Sequence, residues 1–195
     1  LQTETCMAIG RDIPLIGAVG RLTDQKGWDL ISDIIDELCQ RDLQVIILGT
    51  GEKKYQELME KIGKVYPLKT SVNLKFDAVL AQKIYAACDM FLMPSKFEPC
   101  GLGQLISYRY GTVPIARATG GLNDTITDLA KDPVHGTGFL FEEYNSREFL
   151  NTIDRALELY KNRRLWRNVQ KRIMRMDYSW QHSAKEYLLL YKKVI

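Results

Sequence analysis

The hydrophobic pattern of the chain alternates between short apolar runs and longer segments with one apolar face. Apolar runs of strand length lie at residues 15–20, 43–48, 71–76, 89–93, 112–116 and 138–141. Apolar residues at helical spacing predict helices at residues 27–40, 52–65, 79–88, 146–160, 162–176 and 179–193. Two further helices are expected to begin near Gly101 and at Gly120. The pattern therefore predicts strands and helices in alternation.

Several of the predicted strands are apolar throughout, which is typical of strands covered by helices on both faces. Alternating strands and helices then favour one α/β domain over residues 1–195, with a doubly wound parallel sheet. No internal repeat or low-complexity linker divides it. The three consecutive helices after Asn145 depart from the alternation, and we expect them to wrap the domain or to reach toward a partner outside the chain.

Composition and charge narrow the class of protein without naming a function. The chain has 195 residues, 46% hydrophobic and 26% charged, as expected for a globular domain with an ample core. Its net charge of +3, from 27 basic and 24 acidic side chains, indicates neither a nucleic acid nor a membrane partner. Four cysteines without a CxxC pair argue against a zinc site or a disulfide framework and favour a reducing compartment.

The candidate chemistry lies where predicted strands end and helices begin. The loop at residues 94–105 carries Glu98 after one strand, and Gly120 and Gly121 follow the next strand. In a parallel sheet this is the edge where ligands bind. The two glycines are expected to present unpaired N–H groups suited to a phosphate, whereas Glu98 could bind a ligand or cap the helix near Gly101.

Two cations occupy the loop after the first strand. Arg21 and Lys26 leave the end of that strand and lead into a helix, so both can converge on an anion at the edge that carries Glu98. The alternative is a solvated loop with Lys26 extended into water. The Gly-rich turn at residues 49–51 could also approach a ligand, although a tight turn is the better explanation.

Other signals exclude functions or have ordinary explanations. No GxGxxG follows the first strand and no GxxxxGK[ST] is present, which disfavours dinucleotide oxidoreductases and P-loop NTPases. The basic residues within 161–175 share a helix with an apolar stripe at Leu165, Val169, Ile173 and Met176, so they predict a solvated face. The three tryptophans are expected to pack, although an exposed one could stack on a sugar ring.

Three motifs, in this order and spacing, resemble a known family. Residues 20–27, 97–102 and 119–125 are similar to the C-terminal domain of bacterial glycogen synthases and plant starch synthases, and the resemblance continues to Trp180 and the last helix. Related retaining glycosyltransferases usually carry Glu-Gly-Phe-Gly where this chain has residues 98–101. The synthase branch is therefore favoured.

The resemblance implies a Rossmann-like half of a two-domain GT-B enzyme. Such a hexosyltransferase moves glucose from ADP-glucose to the non-reducing end of an α-1,4-glucan with retention, without a metal or other cofactor, in the bacterial cytoplasm or the plastid. The family's N-terminal acceptor domain is not found in these residues, and the chain lacks an initiator methionine. We expect a piece of a longer protein that binds the donor and transfers little or no glucose by itself.

The resemblance also implies roles for individual residues. Arg21 and Lys26 would bind the diphosphate and offset charge on the leaving ADP, and Glu98 would lie near the transferred glucose. Phe76 would place its ring against the adenine, unless it is an ordinary core residue closing the third strand. The remaining positions expected to contact the donor are Cys100, Gly101, Leu102, Thr119, Gly120 and Gly121.

Departures from the family pattern leave alternatives open. Gly103 stands where relatives often have threonine or asparagine, which removes one side-chain contact to phosphate. Ile106 occupies the position of a second glutamate in the looser superfamily, which synthases also lack. Cys100 is expected to pack rather than to act as a nucleophile. A related enzyme using a UDP- or GDP-sugar, or a non-catalytic module binding nucleotide or glucan, remains the alternative.

Overall fold

The computed structural model describes residues 1–10 and 12–194. The strands are β1 (Leu15–Val19), β2 (Gln44–Leu48), β3 (Thr70–Asn73), β4 (Met90–Met93), β5 (Val113–Arg117) and β6 (Phe139–Phe141). The helices are α1 (Trp28–Cys39), α2 (Lys53–Val65), α3 (Ala78–Ala87), α4 (Gly103–Tyr110), α5 (Gly120–Thr125), α6 (Ser146–Lys161), α7 (Arg163–Ile173) and α8 (Trp180–Val194). The predicted alternation of strands and helices is confirmed.

All six strands are parallel and lie in the order β3-β2-β1-β4-β5-β6. The order reverses between β1 and β4, where the chain returns from β3 through α3 to the other half of the sheet. Ligands of open α/β sheets bind at such a reversal, beyond the carboxyl ends of the strands. The doubly wound parallel sheet predicted from the sequence is confirmed.

Helices cover both faces of the sheet. Helix α1 packs against α2 and α6, while α3 packs against α4 and β1. Every residue of β2 and β4 is buried, which explains why all of them except Gln44 are apolar. The sheet therefore forms the middle of one continuous core, and its carboxyl edge is held by elements packed on both sides.

Two of the element boundaries that differ from the prediction affect the candidate site. Strand β3 ends at Asn73, whose carbonyl accepts a hydrogen bond of 3.1 Å from Gly49 N–H, so the predicted strand residues 74–76 lie beyond it. Helix α4 begins at Gly103, since Gly101 has a φ of +72°, which lies outside the helical region. The loop that carries Glu98 is therefore longer than the sequence indicated.

The C-terminal helices divide into two groups. Helices α6 and α7 pack against the domain, and Trp166 rather than Leu165 belongs to the buried face of α7, because Leu165 is half exposed. Helix α8 has no buried residue, and Trp180 is almost fully exposed, contrary to the packing role expected for it.

Within residues 1–10 and 12–194, no helix is sufficiently long and apolar to cross a membrane.

Candidate functional site

The loop after β1 brings two cations to the carboxyl edge of the sheet. Arg21 is exposed, and its carbonyl accepts a hydrogen bond of 2.8 Å from the Trp28 indole. Lys26 ends a short 3-10 turn and is partly buried. The next residue, Gly27, has a φ of +74°, and a Cβ there would lie 2.1 Å from the Pro94 carbonyl oxygen. A glycine is therefore needed where this loop meets the loop after β4.

Lys26 and Glu98 form an ion pair across that contact. Lys26 Nζ lies 2.6 Å from Glu98 Oε2, and the same oxygen accepts a hydrogen bond of 3.1 Å from Ser95 Oγ. Glu98 is 8% exposed and Ser95 1% exposed. The carboxylate is therefore held by two donors, not engaged as a helix cap, and the capping alternative is wrong. Among the described residues, no donor bonds Glu98 Oε1.

The glycine pair after β5 packs directly on the Glu98 loop. A Cβ on Gly120 would lie 2.2 Å from the Glu98 carbonyl oxygen, and one on Gly121 would lie 2.1 Å from the Cys100 carbonyl oxygen. The Gly121 N–H donates to the carbonyls of Glu98 and Pro99, at 3.0 and 3.2 Å. The prediction that both glycine amides are unpaired is therefore wrong for Gly121. Its N–H joins two loops of the site.

A mostly apolar cavity of about 540 Å³ opens beside these groups at the ends of β1 and β2. It is lined by Gly20, Arg21, Gly49, Thr50, Phe76, Tyr85, Ile106 and Tyr110, among others. Phe76 is 88% exposed on its rim, so the core role that the sequence left open is wrong. A recess of about 30 Å³, whose lining includes Lys26, Ser95 and Glu98, shares Val19 and Gly20 with the cavity. The cavity and the recess are together called the cleft below.

The other predicted contacts lie at the same edge. Cys100 is exposed, which contradicts its expected packing role, and Leu102 is 69% exposed. Gly101 is partly buried, as is Thr119, which precedes α5. The fold thus brings the predicted site residues to the ends of β1, β3, β4 and β5. Their roles toward a ligand stay predictions.

Sequence reasoning missed Ser95 as part of the site. Its hydroxyl contacts Glu98, and the available signal was its position in the loop, three residues before that glutamate. Gln25 was missed for a different reason. The Gln25 backbone carbonyl accepts a hydrogen bond of 2.8 Å from Lys96 N–H in the Glu98 loop. The Gln25 side-chain amide donates one of 3.2 Å to the Phe97 carbonyl in the same loop. Contacts between loops distant in sequence leave no local signal.

Other polar clusters have structural partners. Arg172 donates to the carbonyls of Val134 and Gly136, and His135 Nδ1 lies 3.0 Å from Asp132 Oδ2. In the described residues, no three His, Cys, Asp or Glu side chains are arranged to hold a metal ion. The cleft at the carboxyl edge is therefore the candidate site.

Comparison with known proteins agrees with this geometry. Residues 8–172 match the family model described as "Glycosyl transferases group 1". The chain belongs to that family. This glycosyl transferase domain is 51% identical over 183 residues to a glycogen synthase of Fervidobacterium nodosum, a match that covers 94% of the domain and 38% of the relative. A glycogen synthase of Clostridium beijerinckii is 51% identical over 194 residues and is covered to 40%.

A solved relative matches in three dimensions. The catalytic domain of starch synthase IV from Arabidopsis thaliana, bound to ADP and acarbose, superimposes with a TM-score of 0.89 and 36% identity, covering 98% of this chain and 41% of that one. The resemblance to the C-terminal domain of glycogen and starch synthases is thus confirmed. The glycosyl transferase domain spans about two fifths of the length of these relatives.

Proposed function

We propose that this domain binds the ADP-glucose donor of a glycogen or starch synthase, in which glucose passes with retention to the non-reducing end of an α-1,4-glucan. The observation that carries the proposal is the placement of three charged groups at the reversal of strand order. Arg21 lines the mostly apolar cavity, while the Lys26–Glu98 ion pair lines the recess that shares Val19 and Gly20 with it. The similarity to glycogen synthases and to an ADP-bound starch synthase supports it.

The cations serve the diphosphate. Lys26 gives one N–H to Glu98, and an ammonium group has two more donors for phosphate oxygens. Arg21 adds a planar guanidinium that no acceptor of the described residues engages. As the glycosidic bond to ADP breaks, negative charge grows on the diphosphate, and positive groups already in place stabilise that charge.

Glu98 serves the sugar. Its Oε2 is fixed by Lys26 and Ser95, so Oε1 can accept hydrogen bonds from glucose hydroxyls. A carboxylate at this point also favours the positive charge that develops at the anomeric carbon during transfer. Because burial keeps Glu98 from rotating freely, the position of its charge is set before the donor arrives.

The cavity serves the nucleoside. Its volume of about 540 Å³ lies within the usual range for small-ligand sites, and Phe76 presents an exposed ring at its rim. An aromatic face there suits stacking on adenine. We expect the loops at the same edge of the sheet to contact the donor through their backbone groups, at Cys100, Gly101, Leu102, Thr119 and Gly120. No metal or other cofactor is required, because Arg21 and Lys26 supply the positive charge.

The glucan binds outside the groups described above. In the proposed enzyme an N-terminal domain carries the acceptor, and chemistry takes place when the two halves close on the donor. The chain by itself would then hold ADP-glucose and transfer little glucose. A bacterial cytoplasm or a plastid would be its compartment.

Titration calorimetry of the 195-residue chain with ADP and with UDP tests the donor assignment. We expect ADP to bind more tightly than UDP, because the adenine ring extends further across the Phe76 side of the cavity. Phe76→Ala should reduce this preference and leave the contribution of the diphosphate unchanged. Equal affinity for ADP and UDP in the unsubstituted chain would contradict ADP-glucose as the donor.

Cysteine reactivity provides a second test. Cys6 and Cys100 are exposed, whereas Cys39 and Cys88 are buried, and burial raises the pKa of the Cys39 thiol to about 11 and that of Cys88 further. We expect two thiols to react with a chromogenic disulfide reagent in the folded chain and four after unfolding. Bound ADP should slow only Cys100.

Two serine variants assign those reactions. The ADP-sensitive reaction should disappear in Cys100→Ser and remain in Cys6→Ser. Cys6→Ser serves as the matched control because Cys6 is also exposed but precedes β1, whereas Cys100 lies in the loop that carries Glu98. Protection of Cys6, or no protection of Cys100, would place the nucleotide elsewhere.

A further inference from the structure

Tyr144 contacts residues that lie in or next to all three loops that carry the site. It follows β6 in the segment before α6 and is partly buried. Its hydroxyl donates to Asp29 Oδ1 at 2.5 Å, and Asp29 lies in the first turn of α1, three residues after Lys26. This contact connects Tyr144 to the loop after β1.

The Tyr144 ring reaches the other two loops. Lys96 Nζ lies 5.2 Å from the ring centroid, and Lys96 is two residues before Glu98. The Arg117 guanidinium carbon lies 5.6 Å from the same centroid, and Arg117 ends β5, three residues before Gly120. Cations at these distances are attracted to the face of an aromatic ring.

Arg117 forms two hydrogen bonds that connect these segments. Its Nη1 donates to the Lys96 carbonyl at 2.5 Å, and its Nε donates to the Glu142 carbonyl at 3.1 Å, two residues before Tyr144. The end of β5 is thereby bonded both to the segment after β6 and to the loop after β4. Burial and the bond to Asp29 raise the pKa of Tyr144 above its ordinary value, so its hydroxyl remains a donor at neutral pH.

We propose that Tyr144 is a positioning residue, which fixes the loops carrying Lys26, Glu98 and Gly120 relative to one another before a donor binds. The inference rests on the proposed function for its effect on catalysis. Tyr144 lines neither the cavity nor the recess, so it acts through the loops rather than on the ligand. Fixed loops lower the ordering cost of binding.

Two substitutions separate its contacts. Tyr144→Phe removes the bond to Asp29 and keeps the ring, whereas Tyr144→Leu removes both. The matched control is Tyr66→Phe, because the Tyr66 hydroxyl also bonds an aspartate of α1, Asp36 at 2.6 Å, but from the end of α2 remote from the cleft. Each variant of the 195-residue chain is compared by ADP calorimetry and by amide hydrogen exchange.

We expect Tyr144→Leu to weaken ADP binding about fivefold and Tyr144→Phe to weaken it less. Exchange should rise at the amides of Lys96 and Gly121, which bond across the loops, and stay unchanged in β2. Tyr66→Phe should change neither. Unaltered affinity and exchange in Tyr144→Leu would overturn the proposal, and Tyr144→Phe gives the same decision if Tyr144→Leu does not fold.

The exchange measurement keeps this inference separate from the donor assignment. If the unsubstituted chain binds no ADP, the proposed function fails, while faster exchange at Lys96 and Gly121 in Tyr144→Leu still supports the positioning role. If the chain binds ADP but the variant exchanges and binds as the unsubstituted chain does, only the positioning role is overturned.

Discussion

Replacing Lys26 by alanine is expected to weaken ADP binding about a hundredfold, because a charge-assisted contact to the diphosphate is lost. The same change should lower the free energy of unfolding by about 1–3 kcal/mol, since the buried Glu98 carboxylate keeps only the Ser95 hydroxyl as a partner. Calorimetric titration with ADP and denaturant unfolding measure the two effects separately.

A second substitution distinguishes the two effects. Adding Glu98→Gln to Lys26→Ala removes the unpaired buried charge, so stability should recover while ADP affinity should not. Recovery of ADP binding in the double variant would mean that Lys26 acts by supporting Glu98 and not by contacting the nucleotide.

The matched control for stability is Lys54→Ala. Lys54 Nζ also lies 2.6 Å from a carboxylate oxygen, that of Asp24, but both side chains are more than half exposed. The Lys26 and Glu98 side chains are 24% and 9% exposed. Exposed pairs contribute little, so Lys54→Ala should leave unfolding nearly unchanged. A loss equal to that of Lys26→Ala would contradict the importance of burial.

Replacing Gly121 by alanine is expected to lower the free energy of unfolding by about 3 kcal/mol, since the added Cβ would overlap the Cys100 carbonyl. Relief of that overlap moves the Glu98 loop away from α5, so ADP affinity should fall about tenfold as well. Gly120→Ala should act similarly, because it combines overlap with the Glu98 carbonyl and a φ of +45°. Thermal unfolding and ADP titration measure both effects.

Gly63→Ala is the control for the glycine changes. Gly63 lies inside α2, and a Cβ there would meet only Val72, at an ordinary 3.4 Å. Alanine should therefore raise the free energy of unfolding by about 0.5–1 kcal/mol, through its higher helix propensity. If Gly121→Ala behaved like Gly63→Ala, the close packing of α5 on the Glu98 loop would not constrain the site.

The sequence predicted the fold and the edge that carries the candidate site. Continuous apolar runs such as β2 and β4 can be buried only in a sheet covered on both faces, and parallel strands bring their carboxyl ends to one edge. The chemistry in Arg21, Lys26 and Glu98 could be located in the same way, because each follows a strand. The apolar runs and the charged residues that follow them are neighbours in the sequence, so they can be recognised without knowledge of the fold.

Only the tertiary structure decided how those groups meet. Phe76 could have closed β3 in the core, but β3 ends at Asn73, and Phe76 lies beyond it, exposed on the cavity rim. Gly121 could have offered a free amide, but its N–H bonds the Glu98 and Pro99 carbonyls. Where a strand ends depends on the strand that it pairs with, and whether a backbone N–H is free depends on loops that are distant in sequence. The local sequence pattern could therefore predict neither the exposure of Phe76 nor the pairing of the Gly121 N–H.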